Sequence, residues 1–509
     1  MRRKLLNSRV MPIIMAASMA MSLAACDGGN ANPPAQQGGG DTPVATEAPT
    51  EAGGAENPTD APAPTEDEEP YPVITDADGN PIDLGGIDIV IRDWWTNPDD
   101  LLPENAQNEY DEAVAEYRVW AQEKYNFTMT QTAMSDWGTT PQDFVDDVTS
   151  GGDGTNYIWI VRDDPKIAKA MILGQMYDLS KLDCLDFNSP KFTSNLLHKQ
   201  YTYKGGIYAM YTGLSEPRDG LFINETLLSD NNIDPDTIYD MQANGTWTWD
   251  AFKEIMDKVQ KDTDNDGTND IWGFTGNTGS FTSDCVFSNG GEFIGSDANG
   301  FVYKLEDPKT IEGLQFSVDI QNDYYMPRPE GAEWDYYKEE FLNGTVAFCC
   351  DGFYAGCAGS YFNETDFDMG FVMMPAGPSG SLVNKWSNNP VVLPSYYDDE
   401  TAWKVAMAYN IWTEDIPGYE GYNGQISRAR SGNISSRGCD ETVPMMCEKE
   451  HGIVSYTDMI PGLKTGETLI WNIGPGADVS AAVEGAAEEW KSRIADANSG
   501  DIKDDEEAQ

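Results

Sequence analysis

The chain has 509 residues, enough for two or three domains with sizeable cores. Its 86 acidic side chains outnumber 32 basic ones, giving a net charge of −54, a field that repels nucleic-acid phosphates and so excludes nucleic acid as a partner. Two histidines and no C-x-x-C leave zinc-type centres unsupported, and no G-x-S-x-G elbow, P-loop, G-x-G-x-x-G or H-E-x-x-H stands out. Aromatic residues reach 11%, with 14 Trp, an excess compatible with stacking on sugar rings, although buried core rings account for most Trp in any protein.

The N-terminus reads as an address. Arg2, Arg3, Lys4 and Arg9 form a basic region, and Met11 to Leu23 an apolar stretch too short for a stable span. Leu23-Ala24-Ala25-Cys26 resembles the lipobox of bacterial lipoproteins. That resemblance implies a signal over 1–25, a diacylglyceryl group on Cys26 and residence on the extracellular face of the cell membrane, held by lipid alone; a cleaved secretory signal without lipid is the alternative. Residues 26–72 are rich in Gly, Pro, Ala, Thr and Glu and poor in large apolar side chains, the composition of a disordered tether. Seven cysteines remain after Cys26, an odd number that cannot be fully paired; Cys439 and Cys447 are the pair to examine for a bridge.

The folded body is expected to begin near Gly85. Ile87–Arg92 reads as a strand that delivers Asp93, Trp94 and Trp95. A helix through Val114, Tyr117, Trp120 and Ala121 follows and stops near Asn126. Phe127–Ala133 is a second strand with Asp136 and Trp137 beyond it, and Tyr157–Val161, after a helix over Asp143–Val148, is a third that ends in Arg162 and Asp163. Strands alternating with helices predict a mainly parallel α/β sheet, whose ligands sit outside the C-terminal strand ends.

The stretch from Trp247 to Phe274 carries a second set of signals. Thr248 is a cap, Phe252, Ile255, Met256 and Val259 form one apolar helix face, and Asp262, Asp264, Asp266, Thr268 and Asp270 stand at positions 1, 3, 5, 7 and 9 of a loop with Gly267 at 6. This is calcium-loop spacing, and Ca2+ is the expected structural ion, although Gly273 replaces the Glu of a complete EF-hand at position 12.

These signals together resemble the extracellular solute-binding lipoproteins of ABC transporters, carbohydrate type. The motifs behind the resemblance are the lipobox, the Glu216-Pro217-Arg218 crossing, the Phe341–Tyr354 helix, glycine turn and strand, the Pro390–Ser395 return and the helix over Val479–Ile494. It implies an α/β, two-lobed periplasmic-binding-protein-like fold with a hinge. The N-terminal lobe would hold 85–216 with 388–445, the C-terminal lobe 219–387 with 446–495, and 496–509 would form an acidic tail. It further implies capture of an oligosaccharide by a monomer that delivers it to ABC permease subunits, without catalysis. A sugar offers an apolar ring face and a hydroxyl rim, so aromatic planes beside charged or amide groups are the residue types to seek. Trp94, Trp95, Asp163, Arg218 and Tyr354 are the first candidates, then Trp137, Trp386 and Arg437. The rival classes are a secreted polysaccharide-acting hydrolase, whose acid pair is defined only in space, and a calcium-dependent surface adhesin.

Overall fold

Alternating apolar residues in Ile87–Asp93 (β1) bury Ile89 and Ile91 and make this strand the centre of a four-stranded sheet. The computed structural model describes residues 69–502; the signal, Cys26 and most of the tether lie outside the described residues. Phe127–Ala133 (β2) and Asn156–Ile160 (β3) flank β1 in parallel, Ile87 opposite Phe127 and Ile89 opposite Asn156. Between the first two strands runs the helix Glu109–Tyr125 (α1). Asn108 caps its start by accepting from the Asp111 amide, and Asn126, left-handed at φ 55°, ends it.

The second sheet is built from Asp219–Asn224 (β4), Trp272–Gly276 (β5), Val346–Gly352 (β6) and Met369–Val372 (β7), in the order β7-β4-β6-β5. β6 runs parallel to β5 and antiparallel to β4, and β7 is also antiparallel to β4. The helix Trp249–Val259 (α2) begins where Thr248 accepts from the Ala251 amide. It buries Trp249, Phe252, Ile255, Met256 and Val259, each such side chain worth about 1.5–3 kcal/mol of transfer free energy. Met256 lies so close to Gly273 of β5 that an added Cβ would meet it at 2.9 Å.

Two segments run between the sheets. Met210 is still hydrogen-bonded to Val391 of the first sheet (2.8 Å), and β4 of the second begins at Asp219, so 211–218 make the outward passage. Asn384–Lys385 (β8) and Val391–Val392 (β9) bracket the return; β9 joins the first sheet antiparallel to β3, and the helix Asp399–Trp412 (α4, after Thr278–Ser288, α3) packs beneath it. Each sheet therefore has three parallel strands and one antiparallel strand entered directly from a passage. β8 also pairs with Gly452–Ile453 (β10), which brings the C-terminal segment to the same place.

The structure corrects four expectations. The body begins at Glu69 rather than Gly85: Tyr71 packs on Tyr117 and Trp120 at ring distances of 5.0 and 5.1 Å, and the Ile74 amide donates to the Tyr125 hydroxyl. Residues 388–445 divide. The part through Ile416 packs on the first sheet, whereas Ala429, Ile434, Cys439 and Val443 share the core of Phe222 and Phe371 in the second. The C-terminal helix Val479–Ser499 (α5) buries Ala497 and bonds Asn498 to Phe301, so 496–499 are ordered helix rather than tail. The seven described cysteines are free, Cys439 and Cys447 included. Among the described residues no helix is long and apolar enough to cross a membrane.

Candidate functional site

The carboxylate of Asp93, fully buried at the end of β1, accepts from the amides of Trp95 (3.1 Å) and Thr96 (3.0 Å) and from Gln131 Nε2 (2.9 Å). This turns the chain sharply off the sheet edge. Trp94 and Trp95 consequently stand at the strand end, packed edge to face at 4.7 Å, with Trp95 half exposed. At the end of β2, Trp137 is 60% exposed, and the Arg162 guanidinium stacks over its ring at 4.4 Å while Arg162 Nε donates to its carbonyl.

The two passages lie side by side. Arg218 N donates to Asn384 Oδ1, Glu216 N to Asn388 Oδ1 and Arg218 Nη2 to Ser387 Oγ, each at 3.4 Å. Glu216 is held between two guanidiniums, Arg218 at 3.4 Å and Arg428 in direct contact. A recess of about 250 Å³ opens here, lined by Trp95, Glu216, Arg218, Ser387, Asn388 and Tyr409 among others. Its size is just under the ~300–1,000 Å³ of small-molecule sites, room for little more than one ring. An aromatic plane, a guanidinium with free donors and an amide converge on it, the chemistry a sugar ring requires. The Phe353 amide donates to the Arg218 carbonyl (2.9 Å), and the ring of the next residue, Tyr354, is 42% exposed. Thus Trp95 and Arg218 share one recess, whereas Trp94 and Tyr354 do not line it.

The other candidates are placed elsewhere. Trp386 is fully buried and donates Nε1–H to the Met446 carbonyl (2.9 Å), and Gly452 packs on its face so tightly that a Cβ would come within 2.4 Å; it is a core plug. Arg437 is gripped by Glu441 (2.7 Å), Asp240 (2.9 Å) and Asp236 (3.3 Å) and does not line the recess of Trp95. Asp163 is turned inward, accepting from the Tyr201 hydroxyl (2.6 Å) and Gln200 Nε2 (3.2 Å). Trp137 stands on its own turn, outside the recess of Trp95. Sequence reading missed Asn388, Ser387 and Tyr409, which carry no local signal and reach the site only through the return passage.

Burial, then the charge of Asp458, push the Asp163 carboxyl up to about 6 from an ordinary 3.8. On unfolding it regains the lower value, so the unfolded chain releases the proton first and stability falls as pH rises through that window. Asp163→Asn does not titrate. Relative to the parent it should gain roughly 2–3 kcal/mol between pH 4 and pH 7, measured by denaturant unfolding at both values. An unchanged difference would contradict the assignment.

In the acidic loop, Asp262, Asp264 and Asp270 each bring a carboxylate oxygen within 4.8 Å of the other two. Asp262 accepts from the amides of Asn265 (2.7 Å) and Gly267 (2.9 Å), and Gly267 takes φ 93°, which winds the chain around the trio. Asp266 accepts from the Thr268 amide (2.7 Å) and is not one of the three clustered carboxylates.

Neither a protein-family model nor a curated protein sequence matches the chain. Solved structures do. An ABC substrate-binding protein from Listeria monocytogenes in complex with cycloalternan superposes with a TM-score of 0.51 at 14% identity, over 81% of this chain and 98% of that one. A cyclic alpha-maltosyl-1,6-maltose binding protein from Arthrobacter globiformis gives 0.54 at 15%, over 82% and 99%. UspC of M. tuberculosis gives 0.51 at 15%, over 81% and 100%. The fold is the two-lobed α/β fold of periplasmic-binding-type proteins.

Proposed function

We propose that the chain is an extracellular solute-binding protein, anchored through lipid on Cys26, that captures an oligosaccharide and delivers it to an ABC permease as a monomer. The observation that carries this reading is the recess where Trp95 from the first sheet meets Arg218 and Asn388 of the two passages. The Listeria and Arthrobacter proteins that share the fold are described by the saccharides they bind, which supports a carbohydrate here. Contacts with both lobes are complete only when the lobes approach, so a ligand stabilises the closed form by its differential affinity. Nothing in this scheme requires bond breaking. Thermal shift across a saccharide panel, with the ligand recovered and analysed, tests it. A rise in melting temperature with intact ligand supports capture, accumulation of cleaved products favours the hydrolase, and retention on insoluble polymer without closure favours the adhesin.

Calcium at Asp262, Asp264 and Asp270 belongs to the same proposal, in a structural role. Three clustered carboxylates repel one another unless a cation compensates. Ca2+ at a hundredfold excess over its Kd should add ~2.7 kcal/mol, read as a higher melting temperature that Asp264→Asn abolishes. Equal melting in Ca2+ and in chelator would remove the ion from the account.

A further inference from the structure

The return passage carries one cation into an acidic crossing. Lys385, the last residue of β8, pairs with Ile453 of β10, and the neighbouring amides of Asn384 and Trp386 donate to the carbonyls of His451 (2.8 Å) and Ile453 (2.9 Å). Its Nζ stands 3.6 Å from Asp458 Oδ2. Asp458 lies in the turn Thr457–Met459, which packs against the helix Pro165–Ile172 that follows β3. On its other side Lys385 shares a recess of about 170 Å³ with Asp219, the first residue of β4, and Asp284 of α3. One ammonium therefore faces acidic groups that belong to both sheets.

The charges around it do not balance. Burial alone would lower the Lys385 ammonium, but Asp458, Asp163 and Asp219 outweigh burial and hold it above its ordinary value, against the opposing charge of Arg218. Arg218 is itself shared with Glu216 (3.4 Å), which also meets Arg428. Asp284 adds no charge. Burial, then the field of Asp219, raise its carboxyl well above the ordinary range, so it stands as the neutral acid, with Oδ2 unpartnered among the described residues. Asp163, just beyond β3, is the member that changes. Its hydrogen-bond donors, Tyr201 and Gln200, are neutral, the Tyr211 hydroxyl lies in its field, and its chain neighbours Arg162 and Asp164 pair with each other (2.5 Å). Below about 6 it is uncharged, and Lys385 answers two carboxylates, Asp458 from the side of the first sheet and Asp219 from the second. Above that value it answers three.

We propose that Lys385 is an electrostatic pin at the crossing between the lobes and that ionisation of Asp163 loosens it, so that the resting arrangement of the lobes responds to the acidity of the medium. With Asp163 neutral, one ammonium is shared by one carboxylate from each side, and the passages are held between them. Ionised Asp163 is a further, partly buried anion beside Asp458, and movement of the passages that admits water relieves it. Linkage fixes the sign: a carboxyl raised in the folded arrangement favours that arrangement at low pH, and a rise in pH through the raised value favours the hydrated one. No ligand enters this device, which acts on the passages whatever the lobes capture.

Hydrogen exchange of the whole folded chain tests it, read by mass spectrometry without ligand at about pH 5 and about pH 7.5 and corrected for the intrinsic pH dependence of amide exchange. Peptides spanning 211–218 and 384–392 should exchange about fivefold faster at the higher pH, whereas those from β1 and α1 should shift less. Asp163→Asn keeps the shape of the neutral acid and should exchange slowly in the passages at both values. Lys385→Met leaves the carboxylates without their ammonium and should widen the difference; where that variant fails to fold, Asp163→Asn decides the matter. Equal corrected rates in the passages at both values would overturn the inference. So would a uniform change across all peptides, which reports overall stability rather than the crossing. A response that survives Asp163→Asn would also overturn it and would pass to His451, the imidazole at this crossing, whose Nδ1 meets the Leu382 carbonyl (2.7 Å) and whose Nε2 lies 3.9 Å from Glu448.

Discussion

Trp386→Ala should lower the unfolding free energy by about 3–5 kcal/mol, the usual cost of deleting a large buried ring. The side chain is 1% exposed, its indole N–H is satisfied by the Met446 carbonyl, and Gly452 of the adjoining β10 lies flat against it. It also shares one core with Trp159 of the first sheet and Trp490 of the C-terminal helix. Truncation therefore opens a cavity where the return passage is fixed. Denaturant unfolding of the variant checks this, and Trp386→Phe should recover part of the loss. A variant as stable as the parent but deficient in ligand binding would restore Trp386 to the binding surface.

Trp95→Ala should have the opposite profile, with saccharide affinity reduced about tenfold to a hundredfold, the ~1.4–3 kcal/mol expected of an aromatic anchor, and the melting temperature nearly unchanged. Its half-exposed ring contributes little to the core, and Asp93 holds the backbone turn through the amides of Trp95 and Thr96, which the substitution keeps. Arg218→Ala should weaken binding similarly, but with a stability cost, because Arg218 also joins Glu216 and Ser387 across the passages. Equal affinity for parent and Trp95→Ala, measured by titration with the saccharide that gives the largest thermal shift, would move the binding site elsewhere.

The parts legible from sequence were those fixed by neighbours within a turn or two. β1, the Asn126 stop of α1 and the Thr248 cap of α2 follow from local alternation and capping chemistry, and the structure has them within a few residues. Trp95 was legible because an aromatic after a parallel strand must emerge at the sheet edge. Trp386 shows the limit, since a tryptophan facing a sugar and one plugging a core have the same neighbours in sequence. Arg437 had one visible partner, Glu441 at i+4, but Asp236 and Asp240 come from a helix about two hundred residues earlier. The orphan oxygen of Asp284, in a recess shared with Asp219 and Lys385, arises only when the return passage meets the second sheet. The division of 388–445 escaped for the same reason: Ile434 bridges Met369 through pairing that no local pattern announces.

Small-angle X-ray scattering of the folded chain with and without a saturating saccharide tests the two-lobed capture account most directly. Closure of the two sheets about residues 211–218 and the return through Ser387–Asn389 should shrink the radius of gyration, and Trp95→Ala should require correspondingly more ligand for the same change. Superimposable curves at a concentration where titration shows full occupancy would contradict it.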